Sequence, residues 1–294
     1  MAHWYNLFIL LNRQAMRIYI TGSKGQLGRA LMRRLAQHDL LGVDLPEVDL
    51  TDLAAARSSI AAFKPDVIVH AAAMTDVDGA ARDPDLAYRA NALGTRNVAV
   101  ASEAIGAALL AISTNEVFDG AKNEPYLEFD PTNPINPYAR SKLAAEQFVR
   151  DLTTRFYLVR TAWLYGLGGN HFVKKIITRA DTDSKLRVVA DEVSSPTYAE
   201  DLITAVERLI PTGAYGIYHF TNDGACSRCE FAQKILELSG RAHIPIEPIL
   251  LKDYPRPSTP PPFAPLRNFC GAQIGITLRP WADALADYLA HEQF

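Results

Sequence analysis

The sequence predicts an α/β fold with a doubly wound parallel sheet, on two observations. From Met16 onward short β-branched runs alternate with helical segments, and a glycine-rich turn joins the first run to the first helix. Strands separated by helices need crossover connections, so they pair in parallel and are covered on both faces. Residues 17–21 read as a strand and 26–37 as a helix, with Leu27, Leu31 and Leu35 on one stripe. Residues 40–44 form the next strand and 52–63 a helix, which Lys64-Pro65 stops before a third strand at 66–70. A long helical pattern at 84–106 leads to a strand at 108–113, a helix beginning near Pro137 and a strand at 156–160.

Beyond about Thr161 the pattern loosens into a smaller C-terminal α/β lobe. Strands are expected at 186–190 and 215–220, with helices at 198–210 and 230–238. Ser227 and Glu230 form a capping box that starts the last of these. Six prolines between 254 and 265 exclude regular helix or central strand, so an ordered loop is expected there. Trp281 and Leu285 then mark a final amphipathic helix. The expected organisation is a Rossmann-type dinucleotide-binding domain over 16–160 and a mainly substrate-binding lobe over 161–294, with some segments returning to the first domain. Residues 1–15 are expected to be an extension outside the fold. Their apolar stretch from Trp4 to Leu11 is far short of the ~20 residues that span a bilayer, and no cleavage signal follows it.

Composition narrows the function classes. The 294 residues are 48% hydrophobic and 21% charged, ordinary for a soluble globular protein. A net charge of −3 supplies no basic field to recruit nucleic acid or an anionic membrane. Of three cysteines, Cys226 and Cys229 are spaced C-x-x-C, yet no second Cys/His pair completes a zinc site. They read as small buried or helix-start residues, consistent with a reducing cytoplasm.

Gly22, Gly25 and Gly28 stand in the turn after the first strand, spaced G-x-x-G-x-x-G. Such glycines permit a tight turn, close approach of backbone to a pyrophosphate and close helix–strand packing. The N–H groups opening the helix, at Gln26 and Leu27, then face the phosphates. Asp44 ends the second strand, where a carboxylate accepts from both adenosine ribose hydroxyls and repels a 2′-phosphate. NADH is therefore favoured over NADPH, although Lys24 leaves NADPH open. Asp49 and Leu50 bracket the adenine in this reading; the other reading of Asp49 is a helix cap. Ala71, Ala72 and Ala73 follow the third strand, where small side chains leave room for a cofactor.

Tyr138 and Lys142 lie four residues apart, one turn apart on one helix face, and Asn136 and Pro137 start that helix well. A lysine cation lowers the pKa of a nearby tyrosine, which then protonates an alkoxide as hydride reaches a carbonyl. Lys142 also suits the nicotinamide ribose. Thr114 ends the fourth strand at the same sheet edge and can donate a hydrogen bond to the carbonyl oxygen.

With these residues in place, the chain resembles the extended short-chain dehydrogenase/reductases, and within them the dTDP-4-dehydrorhamnose reductase family. The motifs run from Met16 almost to the C-terminus. They include Gly25 to Gly28, Asp49 to Asp52, Ala71 to Ala73 with Thr75, Asn91 to Thr95, Ser113-Thr114 and Val117 to Gly120. They continue through Tyr138 to Lys142, Arg160 to Trp163, Gly169-Asn170, Arg187 to Val189, Ser195 to Thr197 and Tyr254-Pro255. The resemblance implies hydride transfer from NAD(P)H to C4 of a dTDP-4-keto-6-deoxyhexose. It implies Tyr138 as proton donor, Thr114 as carbonyl partner, Thr75 in the cofactor site and Trp163 lining the sugar pocket, plain core packing being the other reading of Trp163.

The chain departs from the family at Asn115 and Glu116, where Ser-Thr-Asp-Tyr-Val-Phe is usual. Glu116 follows the nucleotide-sugar 4,6-dehydratase pattern instead, as a base beside the substrate or as a sugar-binding or surface carboxylate. The arginines the family often places after Tyr-Pro-x-Pro are missing, leaving Lys174, Arg187 and Arg256 as candidate diphosphate partners. Three functions stay open: a nucleotide-sugar 4-keto reductase, which leads; an epimerase or dehydratase using Glu116; and a non-catalytic dinucleotide-binding subunit resembling the regulatory β subunit of methionine adenosyltransferase. The sequence leaves a homodimer open and implies no metal.

Overall fold

The computed structural model describes residues 15–292. The expected extension at 1–15 therefore lies, except for its last residue, outside the described residues. Six parallel strands build the main sheet: β1 (Arg17–Thr21), β2 (Asp39–Val43), β3 (Val67–His70), β4 (Ala108–Thr114), β5 (Phe156–Thr161) and β6 (Gly216–His219). Their order across the sheet is β6-β5-β4-β3-β1-β2. The helices of nine or more residues are α1 (Gln26–Arg34), α2 (Leu53–Phe63), α3 (Gly94–Ile105), α4 (Pro137–Leu152), α5 (Phe172–Ala180), α6 (Ala199–Leu209), α7 (Arg228–Leu238) and α8 (Trp281–His291).

Side-chain alternation along the strands divides the core into two layers. Ile18, Ile20, Val69, Leu110 and Val159 face α1 and α6 through Leu31 and Val206. Tyr19, Ile68, Leu109 and Leu158 face the other way, toward Ile60, Val98 and Val149 of α2, α3 and α4. A third core, around Tyr165, Ile177, Phe231, Leu285 and Tyr288, belongs to the C-terminal lobe. Three two-stranded pairs edge that lobe: Leu186–Val189 with Ile246–Ile249, Val193–Ser194 with Cys226–Ser227, and Leu164–Tyr165 with Thr197–Tyr198.

Several elements differ from the sequence reading. The first helix stops at Arg34, because Leu35 turns into the core and the chain must reach β2 by Asp39. The long pattern at 84–106 divides into Pro84–Ala87, a π-helical turn at Tyr88–Leu93, and α3. The strand expected at 215–220 is present and joins the main sheet beside β5, so it is a segment that returns to the first domain. Helix α5 and the strand Ile246–Ile249 went unread, the latter because Pro248 interrupts a strand signature. The capping box at Ser227 and Glu230 is present, and the proline-rich segment is ordered, bonding to Val193 through Pro262 and to Tyr126 through Pro265. Cys226 and Cys229 are buried, and no metal-binding group of His, Cys, Asp or Glu occurs among the described residues. No helix among the described residues is long and apolar enough to cross a membrane.

One buried ion pair fixes α4 against the sheet. The β4–β5 register sets Ser113 beside Arg160. Glu146 of α4 meets both, accepting from Ser113 Oγ at 2.6 Å, Arg160 Nε at 2.9 Å and Arg160 Nη2 at 2.7 Å. Both charged side chains are only 3% exposed. Removing one partner leaves an uncompensated buried charge. Arg160→Met is therefore expected to lower unfolding stability by about 3–5 kcal/mol in urea titrations, and a loss under about 1 kcal/mol, the scale of exposed pairs, would contradict the clamp.

Candidate active site

The strand order reverses between β1 and β3, so the carboxyl ends of these neighbours open one crevice. The turn after β1 can occupy it only with glycine. Gly22 has φ 68°, and a Cβ there would stand 2.8 Å from the Ala72 backbone. A Cβ on Gly28 would sit 2.0 Å from the Gly22 carbonyl oxygen, so α1 packs directly on the turn. A chain of buried polar groups supports this floor. Thr21 Oγ1 bonds His70 Nδ1 at 2.8 Å and accepts from the Ala72 N–H at 3.2 Å. His70 Nε2 bonds Thr95 Oγ1 at 2.9 Å, and Thr95 donates to the Asn91 carbonyl. Burial, helped by Lys142, pushes His70 down to about 3, so it remains a neutral link in this chain. Asn91, on the π-helical turn, accepts from the Met74 N–H and donates to Ser141 of α4. The sequence reading quoted Asn91 and Thr95 without giving them a task; they tie the floor of the crevice to the helix that carries Tyr138.

A cleft of about 1000 Å³ opens above this floor. Asn136 caps α4 by accepting from the Ala139 N–H at 2.8 Å, with Pro137 in the first turn. From there Tyr138, Lys142 and Glu146 follow at intervals of four along the buried face. Tyr138 faces Thr114 at the end of β4, close enough for Thr114 to favour its ionised form. Lys142 Nζ donates to the Ile112 carbonyl at 2.8 Å. The sequence reading has Lys142 acidify Tyr138; in the structure the net shift of the phenol is upward. Burial first, then the nearby Glu116 carboxylate, hold the phenol above its ordinary range, with Thr114 opposing. Lys142 itself yields: burial brings its ammonium down to about 8, against the pull of Glu146.

The expected site residues fall into two groups. Gly22, Gly25, Gln26, Leu27, Ala71, Ala73, Thr75, Thr114, Asn115, Glu116, Tyr138, Lys142 and Trp163 all line the cleft. Ala72, Asp44, Asp49 and Leu50 do not. Asp44 accepts from the Lys24 and Leu45 N–H groups at 3.0 and 2.9 Å, and Lys24 Nζ is drawn away to Glu47 at 2.7 Å. Asp49 closes a turn with Thr51, and Asp52 caps α2 instead, which corrects the capping alternative for Asp49. Leu50 packs on the outer core layer while its carbonyl accepts from Asn97. The residues fit a dinucleotide on one further observation. Gln26 Nε2, beside the glycine turn, and Thr161 Oγ1, at the end of β5, are buried polar atoms with no partner among the described residues.

Toward the C-terminal lobe the cleft turns polar. Asn115 spends its amide on Ser194 Oγ and the Ala264 carbonyl, both at 3.0 Å, and so stitches the lobe to the sheet edge. Glu116 accepts from Asn136 Nδ2 at 2.7 Å. Burial holds its carboxyl above the usual range, and this bond opposes the shift. Trp163 adopts φ 43°, a strained angle for a large residue, and the Arg228 guanidinium lies 3.6 Å over its ring. Arg228 is itself paired with Glu192 at 3.0 Å. Arg256 pairs with Asp78 at 3.0 Å. Lys174 and Lys175 line the far end and form no ion pair among the described residues. The sequence reading missed Glu146, Glu192, Arg228 and Lys175; only Glu146 had a signal, four residues beyond Lys142.

A parallel sheet with a glycine turn at its switch point, and a tyrosine–lysine face opening on the same cleft, define a dinucleotide-binding fold of the short-chain dehydrogenase/reductase type. Residues 16–294 match the RmlD substrate binding domain, and the chain belongs to that family. It is 37% identical over 275 residues to the spore coat polysaccharide biosynthesis protein SpsK of Bacillus subtilis (strain 168), covering 93% of this chain and 96% of that protein. It is 39% identical over 286 residues to the dTDP-4-dehydrorhamnose reductase of Mycolicibacterium smegmatis, covering 95% and 87%. The crystal structure of the Bacillus anthracis dTDP-4-dehydrorhamnose reductase in complex with NADP superposes with a TM-score of 0.92 at 38% identity, covering 95% of this chain and 100% of that one.

Adding one methyl group tests the crevice floor. Gly28→Ala is expected to force the turn off α1 and weaken NADH or NADPH binding by about 10- to 100-fold in Kd, with the helical content unchanged by circular dichroism. Unaltered affinity in a folded variant would contradict the assigned packing.

Proposed function

We propose that the protein reduces the C4 keto group of a nucleotide-activated deoxysugar at the expense of NADH or NADPH. The observation that carries this reading is that Tyr138, Lys142 and Thr114 line one cleft with the glycine turn. The bound dinucleotide would supply a hydride to the carbonyl carbon. Gly22, Gly25 and the Gln26 and Leu27 N–H groups would hold its pyrophosphate, Thr75 and the alanines after β3 would border it, and Lys142 would meet its nicotinamide ribose. Asp49 and Leu50 are assigned to the adenine end.

Thr114 donates to the substrate carbonyl oxygen and so steadies the charge that develops there. As the C=O π bond opens, the Tyr138 hydroxyl passes its proton to that oxygen, giving the alcohol, and the phenolate left behind regains a proton from water. Lys142, while charged, stabilises the phenolate from one turn away. Trp163 and the Arg228 guanidinium stacked on it wall the sugar, while Lys174 and Lys175 face the end where a diphosphate would lie. NADH is the preferred reductant in this proposal, because Asp44 sets a carboxylate at the end of β2.

A redox-neutral epimerase or dehydratase would use Glu116 as its base and would return the dinucleotide in its starting state. The test takes a panel of nucleotide-linked 4-keto sugars with NADH and NADPH in parallel, in deuterium oxide. Stoichiometric oxidation of the dinucleotide, fastest with NADH, is expected, with no solvent deuterium at C5. Deuterium at C5 without net oxidation would replace the reductase reading by the redox-neutral one. Dinucleotide binding without turnover of any sugar would favour a non-catalytic subunit. In the same assay kcat/KM should fall as pH rises through about 8, because Lys142 sheds the proton that makes it a cation. A profile flat to the ordinary lysine range near 10.5 would remove Lys142 from the mechanism.

A further inference from the structure

Glu116 is a carboxylate at the reacting end of the cleft for which the proposed reduction has no task. It lies two residues beyond Thr114, on the short turn Asn115–Val117, and its N–H bonds Thr114 Oγ1 at 3.2 Å. Its Oε2 is held by Asn136 Nδ2 at 2.7 Å. Asn136 also caps α4 and donates to the Thr259 carbonyl at 3.2 Å. One amide therefore fixes the carboxylate relative to Tyr138, two residues further along.

The neighbouring carboxylates are neutralised by direct partners: Glu192 by Arg228, Asp78 by Arg256 and Glu146 by Arg160. Glu116 makes no such ion pair among the described residues, and its Oε1 has no hydrogen-bond partner there. Ionised, Glu116 accepts hydrogen bonds and donates none, and because burial raises its pKa, a donor on the ligand favours the carboxylate form. The free oxygen thus calls for an O–H or N–H donor on the ligand. Because Thr114 and Tyr138 take the keto oxygen, a donor reaching Glu116 sits on a carbon close to the carbonyl.

We propose that Glu116 sets substrate specificity by accepting a hydrogen bond from the hydroxyl on the carbon adjacent to the keto group. The protein then discriminates in favour of keto sugars that carry this hydroxyl free and against those that lack it. The inference rests on the reductase reading and deepens it by naming a feature of the sugar.

The test is a cycle between enzyme and substrate. Two nucleotide-linked 4-keto sugars, one with a hydroxyl and one with hydrogen on the adjacent carbon, are reduced by the wild type, Glu116→Ala and Glu116→Gln. The wild type should prefer the hydroxylated sugar by about 10- to 100-fold in kcat/KM, the scale of a hydrogen bond to a charged group. Glu116→Ala should bring that ratio close to unity, chiefly through KM. Glu116→Gln, which keeps an oxygen for Asn136 but presents an uncharged amide, should fall between. A ratio unchanged in both variants would overturn the inference while leaving the reductase reading intact. Failure of the wild type to reduce either sugar would overturn the reductase reading, and this inference with it.

Discussion

The candidate site depends on a charge buried where charges are expensive. Glu146 of α4 meets Arg160 of the sheet, with Ser113 hydrogen-bonded to Glu146. An apolar replacement would pack a helix on a sheet just as well. What the ion pair adds is register. A carboxylate that must meet both a guanidinium and a hydroxyl admits one rotation and one height of α4 over β4 and β5. Tyr138, two turns earlier on the same face, is thereby set against Thr114, and Lys142 between them donates to the Ile112 carbonyl. Asn136 holds the other end of the arrangement by capping the helix and binding Glu116.

The same economy of polar contacts joins the two lobes. Asn115 reaches from the end of β4 to Ser194 and Ala264, and the Asp78–Arg256 pair holds the proline-rich loop near the cleft. The family pattern has an aspartate where this chain has Asn115. An aspartate would place a negative charge against the Ala264 carbonyl oxygen that the amide now satisfies. Arg256, proposed from the sequence as a diphosphate partner, is already engaged by Asp78; Lys174 and Lys175, at the far end, form no ion pair among the described residues.

Much of the fold was legible because its signals are local. Strand and helix periodicities change at turns marked by Gly22, by Lys64-Pro65 and by Pro137, and Ser227 with Glu230 announces α7. The glycine turn was legible for a stronger reason: at Gly22 and Gly28 a side chain would strike backbone. What escaped depends on distant partners. Nothing local tells that β6 crosses back to lie beside β5, or that residues 84–106 include a π-helical turn, where Asn91 reaches Ser141. The upward shift of Tyr138 was not legible, because sequence spacing reveals its neighbour Lys142 but not the depth of burial. Arg228, paired with Glu192, reaches Trp163 from a separate segment, and no spacing rule connects the three.

Whether the phenol of α4 delivers the proton is decided most directly by removing its hydroxyl alone. In Tyr138→Phe the ring, the cap and the buried ion pair all remain, and dinucleotide affinity by titration should match the wild type. Keto-sugar reduction should fall by about 10²- to 10⁴-fold, the range for loss of a general acid. Turnover at the wild-type rate, with the same dinucleotide affinity, would contradict the assignment of Tyr138 as proton donor.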